Sequence, residues 1–307
     1  MKKKIILLSF MLSGAFYTMA QQDALFSQYM FNMMLINPAY TGSRDVISLS
    51  ALYRKQWLNV PGAPQTMTFS ADAPLKNEKM GIGLTVFNDQ IGVTNSTGFY
   101  GNYAYRVKIS NKGTFSMGAS LGLTNFKADL AGVKHSDDGT TDNAFSSNTS
   151  KILPNVGLGL FYNTDKFYAG ISMPHVLNNK LENDPGVTAR QYRHGYILGG
   201  YVFSLNHNFK LRPSALLKFV SGAPLQLDLN ANLWMYDKIA FGLSYRSLDA
   251  PLAMVEVQVT DQLRLGYAFD FSHSINPGNS LGRTTHEVLL RYEFGYDKGK
   301  VLTPRYF

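Results

Sequence analysis

After residue 44 the chain alternates apolar and polar residues with a period of two, segment after segment. In one clear case, Phe115, Met117, Ala119 and Leu121 alternate with serines and a glycine. Successive side chains of a strand point to opposite faces, so each such segment predicts a two-faced β-strand. The pattern predicts fourteen strands, at about 46–55, 66–72, 80–88, 97–107, 114–126, 155–162, 167–173, 192–203, 210–219, 225–233, 239–246, 253–259, 263–271 and 287–294.

The connections between the predicted strands alternate between short and long. The short ones are rich in Asn, Asp and Gly, as tight turns are. An up-and-down barrel of an outer membrane has this property, because short turns lie at one end and longer loops at the other. The long connections are expected at 56–65, 89–96, 127–154, 174–191 and 272–286, and two shorter ones, 221–224 and 247–252, have the same parity.

The predicted fold is therefore an all-β, transmembrane, up-and-down antiparallel barrel of about fourteen strands over residues 45–307. An even strand count is usual for a closed bacterial barrel. The apolar face of each strand is expected to contact lipid, and the polar face to line a wet or filled lumen in which glycines leave room. Aromatic residues near strand ends are expected in girdles at the membrane interfaces, namely Tyr103, Tyr105, Phe161, Tyr162, Trp234 and Tyr292.

The first twenty residues have the features of a secretory signal peptide. Three lysines at positions 2–4 precede an apolar run from Ile5 to Ala15, and Thr18-Met19-Ala20 offers small residues before a cleavage site at Gln21. A membrane-spanning helix needs roughly 20 apolar residues, so this run is too short to be an anchor. Residues 1–20 are thus predicted to be removed on export.

Composition agrees with an exported β-protein. Charged residues make up 16% of the chain, below the roughly 25% of soluble domains, and the absence of Cys excludes disulfides. Removal of the signal peptide takes away three lysines and reduces the formal charge from +8 to +5. This positive surplus is too small and too scattered to predict nucleic-acid binding. The mean hydropathy of −0.11 argues against a helix bundle, but a barrel with a polar lumen averages its two faces to near zero.

Residues 21–44 do not follow the strand pattern. Apolar residues recur there at three- and four-residue spacing, which predicts a short amphipathic helix. Asn37-Pro38 ends this helix. This periplasmic leader is expected to lie under the barrel, plug its periplasmic mouth or rest on the inner leaflet. Exposed Met and aromatic residues need a partner, which favours the plug. The stripe consists of Leu25, Phe26, Tyr29, Met30, Met33 and Met34.

Two long, unusual motifs carry a resemblance to a known family. DALFSQYMFNMMLINPAYTGSRD at 23–45 and LYRKQWLNVPGAPQTMTFSADAPL at 52–75 resemble the opening of the PorP/SprF family, outer-membrane proteins associated with type IX secretion and gliding motility in Bacteroidota. The stretches 167–177 and 211–246 are similar to later family blocks, so the resemblance covers essentially the whole mature chain. It implies type IX secretion components and a secreted surface protein, such as a gliding adhesin, as partners.

Signatures of enzyme or metal chemistry are missing from the sequence. None of the six histidines belongs to an HExxH motif or a close pair, and there is no nucleophile elbow, so neither zinc, another cofactor nor an enzyme is expected. The acidic stretch 135–143 lacks EF-hand spacing and is interpreted as a solvated loop. The glycine pairs at 81–83 and 157–159 lie within predicted strands, which makes them poor phosphate loops.

Partner binding is predicted for the leader and for the first long loop. Two prolines stiffen that loop around a tryptophan, an arrangement suited to protein docking, although a structural corner over the barrel mouth is an equal alternative. The predicted function is an accessory or anchor protein that acts by binding; the polar lumen supports a porin or small-solute transporter as the alternative, and a barrel hydrolase is a third. The predicted contact residues are Phe26, Tyr29, Phe31, Asn37, Pro38, Tyr40, Arg54, Gln56, Trp57, Pro61, Gly62 and Pro64.

Overall fold

The computed structural model describes residues 26–75, 78–110, 112–131, 148–181, 190–247, 251–270 and 284–294. The predicted signal peptide and the acidic stretch 135–143 lie outside these ranges. Within them, no helix has the length and apolar character needed to cross a membrane.

Within the described residues, fifteen strand segments, all paired antiparallel, form a single sheet. They are β1 (Ile47–Lys55), β2 (Gln65–Pro74), β3 (Met80–Ile91), β4 (Thr94–Lys108), β5 (Thr114–Ala128), β6 (Thr149–Asn163), β7 (Phe167–Met173), β8 (His194–Tyr201), β9 (Phe203–Ser204), β10 (Phe209–Val220), β11 (Gln226–Met235), β12 (Ile239–Arg246), β13 (Pro251–Gln258), β14 (Leu263–Asp270) and β15 (Thr285–Phe294).

The sheet closes on itself into a barrel. Each strand pairs with its sequence neighbour, and β1 pairs with β15 along its whole length, from Ile47 opposite Phe294 to Lys55 opposite His286. The short segment β9 continues β8, since both pair with β10 and only Val202 separates them. The closed barrel therefore has fourteen strands, as the sequence predicts.

Loop length differs between the two ends of the barrel. The connections 109–113, 164–166, 205–208, 236–238 and 259–262 are short and lie at one end, here called the short-turn end, where β1 begins and β15 ends. The opposite, long-loop end carries connections such as 56–64 and 174–193. One expectation is wrong: 89–96 is not a longer loop, because β3 and β4 continue to Ile91 and Thr94 and leave only Gly92-Val93 as a tight turn.

The two faces of the wall have the predicted polarity. Leu121 on β5 points outward and is 69% exposed, while its neighbour Ser120 points inward and is 6% exposed. The girdle prediction is wrong for Phe161 and Trp234, which are both buried inside the barrel. Phe161 packs edge-on against Tyr40, with ring centroids 5.4 Å apart, so the inner face also carries part of an apolar core.

Residues 26–44, here called the lumen segment, are not the predicted amphipathic α-helix. They form three separate 3-10 turns, η1 (Tyr29–Phe31), η2 (Met33–Leu35) and η3 (Pro38–Tyr40). All three residues of η1 and of η3 are buried, so the segment has no polar face turned to water. A segment that is buried inside the barrel can thus show a helical spacing of apolar residues in its sequence without forming one continuous helix.

Candidate functional site

The lumen segment lies inside the barrel and contacts strands on several sides of the wall. Its apolar side chains join inward-facing Leu52, Leu198, Leu216 and Leu289 in one buried cluster, so the main hydrophobic core of the protein is inside the lumen. Polar contacts to the wall hold the segment at both ends and in the middle.

At the long-loop end, one carboxylate fixes the start of the segment. Glu287 accepts hydrogen bonds from the backbone N–H groups of Ser27 and Gln28, at 2.8 and 2.7 Å. Arg54 donates to Ser27 Oγ at 2.6 Å and forms ion pairs with Glu287 and Asp270, at 3.1 and 3.2 Å. Arg54 and Glu287 are nearly inaccessible to solvent. Removing one partner from such a cluster strands a buried charge, typically at a cost of about 3–5 kcal/mol.

At the short-turn end, a second ion cluster holds the other end of the segment. Arg44 donates to Glu293 at 2.6 Å, and Asp72 accepts from the backbone N–H of Gly42 at 2.8 Å. Arg106 donates to the carbonyl oxygen of Gly42 at 2.6 Å. These contacts join the end of the segment to β2, β4 and β15 immediately before β1 begins.

Side-chain hydrogen bonds also satisfy backbone groups in the middle of the segment and of the wall that faces it. Arg291 and Arg44 both donate to the carbonyl oxygen of Phe31, at 2.7 and 3.2 Å. Ser172 Oγ donates to the carbonyl oxygen of Ile36 at 2.6 Å, and Asn37 Nδ2 donates to the carbonyl oxygen of Leu160 at 3.0 Å. Buried carbonyls need such partners wherever regular secondary structure is absent, which is how an irregular chain can be stable inside a barrel.

Glycines of the inner wall make room for the segment. A Cβ on Gly118 of β5 would collide with the backbone of Pro38 and Ala39. On β6, a Cβ on Gly159 would collide with the side chain of Asn37. The space that glycines were predicted to leave in the lumen is therefore occupied by the chain itself.

The first long loop, residues 56–64 and here called the rim loop, lies against its neighbours at the long-loop end. Its backbone donates from Leu58 to the carbonyl of Thr284 at 3.0 Å, and its Gly62 carbonyl accepts from Gly92 at 2.8 Å. Trp57 is 40% exposed and has a φ of 46°, a conformation rare for a bulky residue. Backbone strain of this kind clusters at functional positions, so a strained, exposed tryptophan is the strongest local signal on the rim.

A cavity of about 430 Å³ lies between the lumen segment, strands β2–β6 and the connection that follows β7. Met34, Leu35 and Ile36 of the segment form one wall, and the barrel contributes hydroxyl side chains such as Thr68 and aromatic ones such as Phe87. The volume is within the range of small-molecule pockets.

The structure divides the predicted contact residues into two groups. Those of the lumen segment, Phe26, Tyr29, Phe31, Asn37, Pro38 and Tyr40, are buried, and so is Arg54. Trp57, Pro61 and Gly62 are exposed on the rim loop, and Gln56 and Pro64 are partly buried there.

Sequence reasoning missed the charged residues that hold the segment, above all Glu287, Glu293 and Arg291 of the inner wall and Arg44 at the end of the segment. The alternation predicts which face of a strand is polar, but it does not identify the partner of each charged side chain. Among the described residues, no group of three or more potential ligands could hold a metal ion.

These features define a class of protein: a closed antiparallel barrel with an apolar outer face and a largely polar inner face, of the kind found in outer membranes. Within this class, the chain belongs to the PorP/SprF family. The family model for the type IX secretion system membrane protein PorP/SprF matches residues 18–292, which confirms the resemblance seen in the sequence. The family is therefore that of a type IX secretion system membrane protein.

Several solved structures are similar in fold. The KdgM porin has 11% identity and a TM-score of 0.40, with 81% of this chain and 99% of that chain covered. A Pseudomonas aeruginosa FadL homologue has 13% identity and a TM-score of 0.45, covering 87% and 94%. Acinetobacter baumannii Omp33 has 10% identity and a TM-score of 0.46, covering 81% and 99%. No curated protein matches the chain in sequence.

Proposed function

We propose that the protein is an accessory or anchor component of the type IX secretion system that acts by protein binding and carries out no enzymatic reaction. It supports the export or surface attachment of a secreted protein such as a gliding adhesin, and it also contacts other components of the system. Membership of the PorP/SprF family over residues 18–292 carries this proposal. The barrel holds the protein in the outer membrane, and the polar loops at its ends contact the partner proteins.

The proposed orientation places the short turns and Ser43 in the periplasm and the long loops outside the cell, as in other outer-membrane barrels. The rim loop is then extracellular. We assign partner contact to Gln56, Trp57, Pro61, Gly62 and Pro64, because they are accessible at the rim and the strained Trp57 offers a large aromatic surface.

Trp57→Ala tests the rim loop as a partner-binding surface. We expect the variant to assemble normally but to retain at least tenfold less of the secreted partner, since aromatic hot spots contribute about 2 kcal/mol or more to binding. The measurement is affinity purification of tagged protein from membranes, with quantification of the co-eluting chains. Tyr236→Ala is the matched control, because Tyr236 is also exposed and also has a positive φ (53°), but it lies in a short turn. Equal recovery from both variants would rule out this role for Trp57.

We further propose that the lumen segment plugs the barrel, supported by its buried contacts with the wall at both ends and in the middle. The second candidate function is a porin or small-solute transporter, and the cavity of about 430 Å³ is the observation that favours it.

Single-channel recording in planar bilayers separates the plug from the porin. The plug predicts no steady current from the wild-type protein and transient openings from Arg54→Ala, which removes the guanidinium that joins the start of the segment to Glu287 and Asp270. Lys108→Ala, whose ion pair with Glu78 is exposed, should stay as silent as the wild type. A steady open-pore current from the wild-type protein would favour the porin.

A further inference from the structure

The two ends of the barrel interior differ in the balance of their buried charges. Toward the long-loop end, the buried cations and anions are equal in number: Arg54, Lys218 and Arg246 against Asp228, Asp270 and Glu287. Toward the short-turn end, buried arginines outnumber buried carboxylates: Arg44, Arg106, Arg212, Arg264 and Arg291 against Asp72, Glu256 and Glu293. The exposed Asp45 pairs with Arg106, which leaves one positive charge in excess among the described residues of this end.

The excess charge is that of Arg212 on β10. Every other buried arginine in the described part of the chain forms an ion pair, as Arg44 does with Glu293 and Arg264 with Glu256. Arg212 forms none with a described residue, although only 1% of its surface is exposed. Its Nε and Nη2 also have no hydrogen-bond partner there. A guanidinium in this state is costly, because burial removes its hydration without supplying a counter-charge.

The surroundings of Arg212 supply further N–H donors but too little negative charge. Asn232 is its cross-strand neighbour on β11, and neither amide atom of Asn232 has a hydrogen-bond partner among the described residues. The charge of Arg264 also acts on Arg212, and the Nε of Arg264 is likewise without a partner. Glu256 is the carboxylate that attracts Arg212. However, its Oε1 already contacts Arg291 at 2.9 Å and Arg264 at 3.5 Å. Its Oε2 has no partner among the described residues, but a single carboxylate cannot neutralise three guanidinium groups.

The free edge of Arg212 determines which kind of ion fits. The Nε and Nη2 N–H groups lie side by side on one edge of the guanidinium, and this fork matches two oxygen atoms of one carboxylate or phosphate. A water molecule satisfies N–H groups but leaves the charge uncompensated. The burial of Arg212 restricts the occupant to a small ion.

We propose that one small oxyanion from solution, a phosphate or carboxylate ion, binds inside the barrel on the Nε–Nη2 edge of Arg212. Asn232 Nδ2 is a further donor to this ion, and Arg264 is a second positive charge beside it. The ion neutralises the excess charge of the short-turn end. It also strengthens the contact between wall and lumen segment, because the guanidinium that it fixes lies over the ring of Phe31, with Cζ 5.1 Å from the ring centroid. The site is distinct from the cavity of about 430 Å³, which lies against β2–β6.

Binding of inorganic phosphate tests the site directly. The protein is refolded from urea into detergent micelles in the presence of radiolabelled phosphate, so that the ion can enter before the barrel closes. Equilibrium dialysis at constant pH and ionic strength then gives the phosphate bound per chain. Arg212→Gln removes the guanidinium, and Arg212→Lys keeps the charge but not the fork. Lys210→Gln is the matched control, because Lys210 lies on the same strand but its ammonium is paired with Asp237 at 2.8 Å.

We expect the wild-type protein and Lys210→Gln to bind one phosphate per chain with equal affinity, in competition with acetate but not with chloride. Both Arg212 variants should bind phosphate at least roughly tenfold more weakly, since each loses hydrogen bonds to a charged group. In chloride alone, Arg212→Gln should unfold at the same urea concentration as the wild type or a higher one, because it removes an uncompensated charge. A lower unfolding midpoint would mean that this charge is already compensated and would contradict the proposal. No saturable phosphate binding by the wild type, equal competition by chloride, or an equal loss in Lys210→Gln would also overturn it.

Discussion

At the scale of single residues, the interior is organised by close contact between the lumen segment and the wall. Gly118 shows this most directly, because the backbone of Pro38 and Ala39 occupies the position that its Cβ would take. The glycine is required there by space and not by turn geometry, since it lies within the regular strand β5.

Gly118→Ala should therefore destabilise the protein. We expect a loss of about 1–3 kcal/mol, typical of overpacking where the obstacle is backbone that has to shift. Urea denaturation of protein refolded in lipid vesicles measures the change. Gly101→Ala is the matched control on the neighbouring strand β4, where the nearest atom to a new Cβ is 3.9 Å away. Equal stability of the two variants would show that the lumen segment does not pack against β5.

Residue-level reasoning predicted which side chains point inward but not what they contact. By the period-two alternation of their strands, Arg54, Asp72, Glu256 and Asp270 fall on the polar face, and all four are buried inside the barrel. Their partners were hidden because ion pairs join positions far apart in the chain, such as Arg54 and Glu287, separated by 233 residues. A period-two pattern shows which face a residue lies on, but not the distances across a lumen.

At the scale of elements, strand positions followed from the sequence almost everywhere. β7 and β12 begin and end at the predicted residues, because their apolar and polar positions alternate throughout. The incorrect prediction of a longer loop at 89–96 has a physical cause. Asp89, Gln90, Asn95 and Ser96 are polar on both faces, so backbone pairing continues through them without any alternation to reveal it.

The lumen segment is the element that sequence reasoning described least well. Its spacing predicted a helix with one apolar stripe, but the wall donates hydrogen bonds from Arg291 and Ser172 to its backbone, and its own Arg44 donates another. Once the wall satisfies the carbonyls, a continuous helix is no longer needed. The contacts that replace the helix come from residues up to 260 positions away, beyond the reach of local pattern.

At the scale of the whole molecule, the protein places its core inside and its remaining apolar surface outside. Large outward side chains on strands all around the barrel are exposed, including Leu121, Leu158 and Leu243. An apolar surface of this extent is unstable in water but suits the hydrocarbon of a membrane, which also explains why polar inner positions and apolar outer positions coexist in one sheet.

The membrane environment of the outer face is testable by placing a charge on it. Leu121 is the central residue of the 15-residue strand β5, so Leu121→Arg should destabilise the barrel by about 2–4 kcal/mol, the cost of an arginine at the bilayer midplane. Leu205→Arg is the control, because Leu205 is also exposed but lies in the short turn 205–208, where the cost falls to about 0–1 kcal/mol. Urea titration of both variants in lipid vesicles gives the two values. Equal destabilisation would mean that Leu121 does not contact hydrocarbon, and the assignment of this face to lipid would fail.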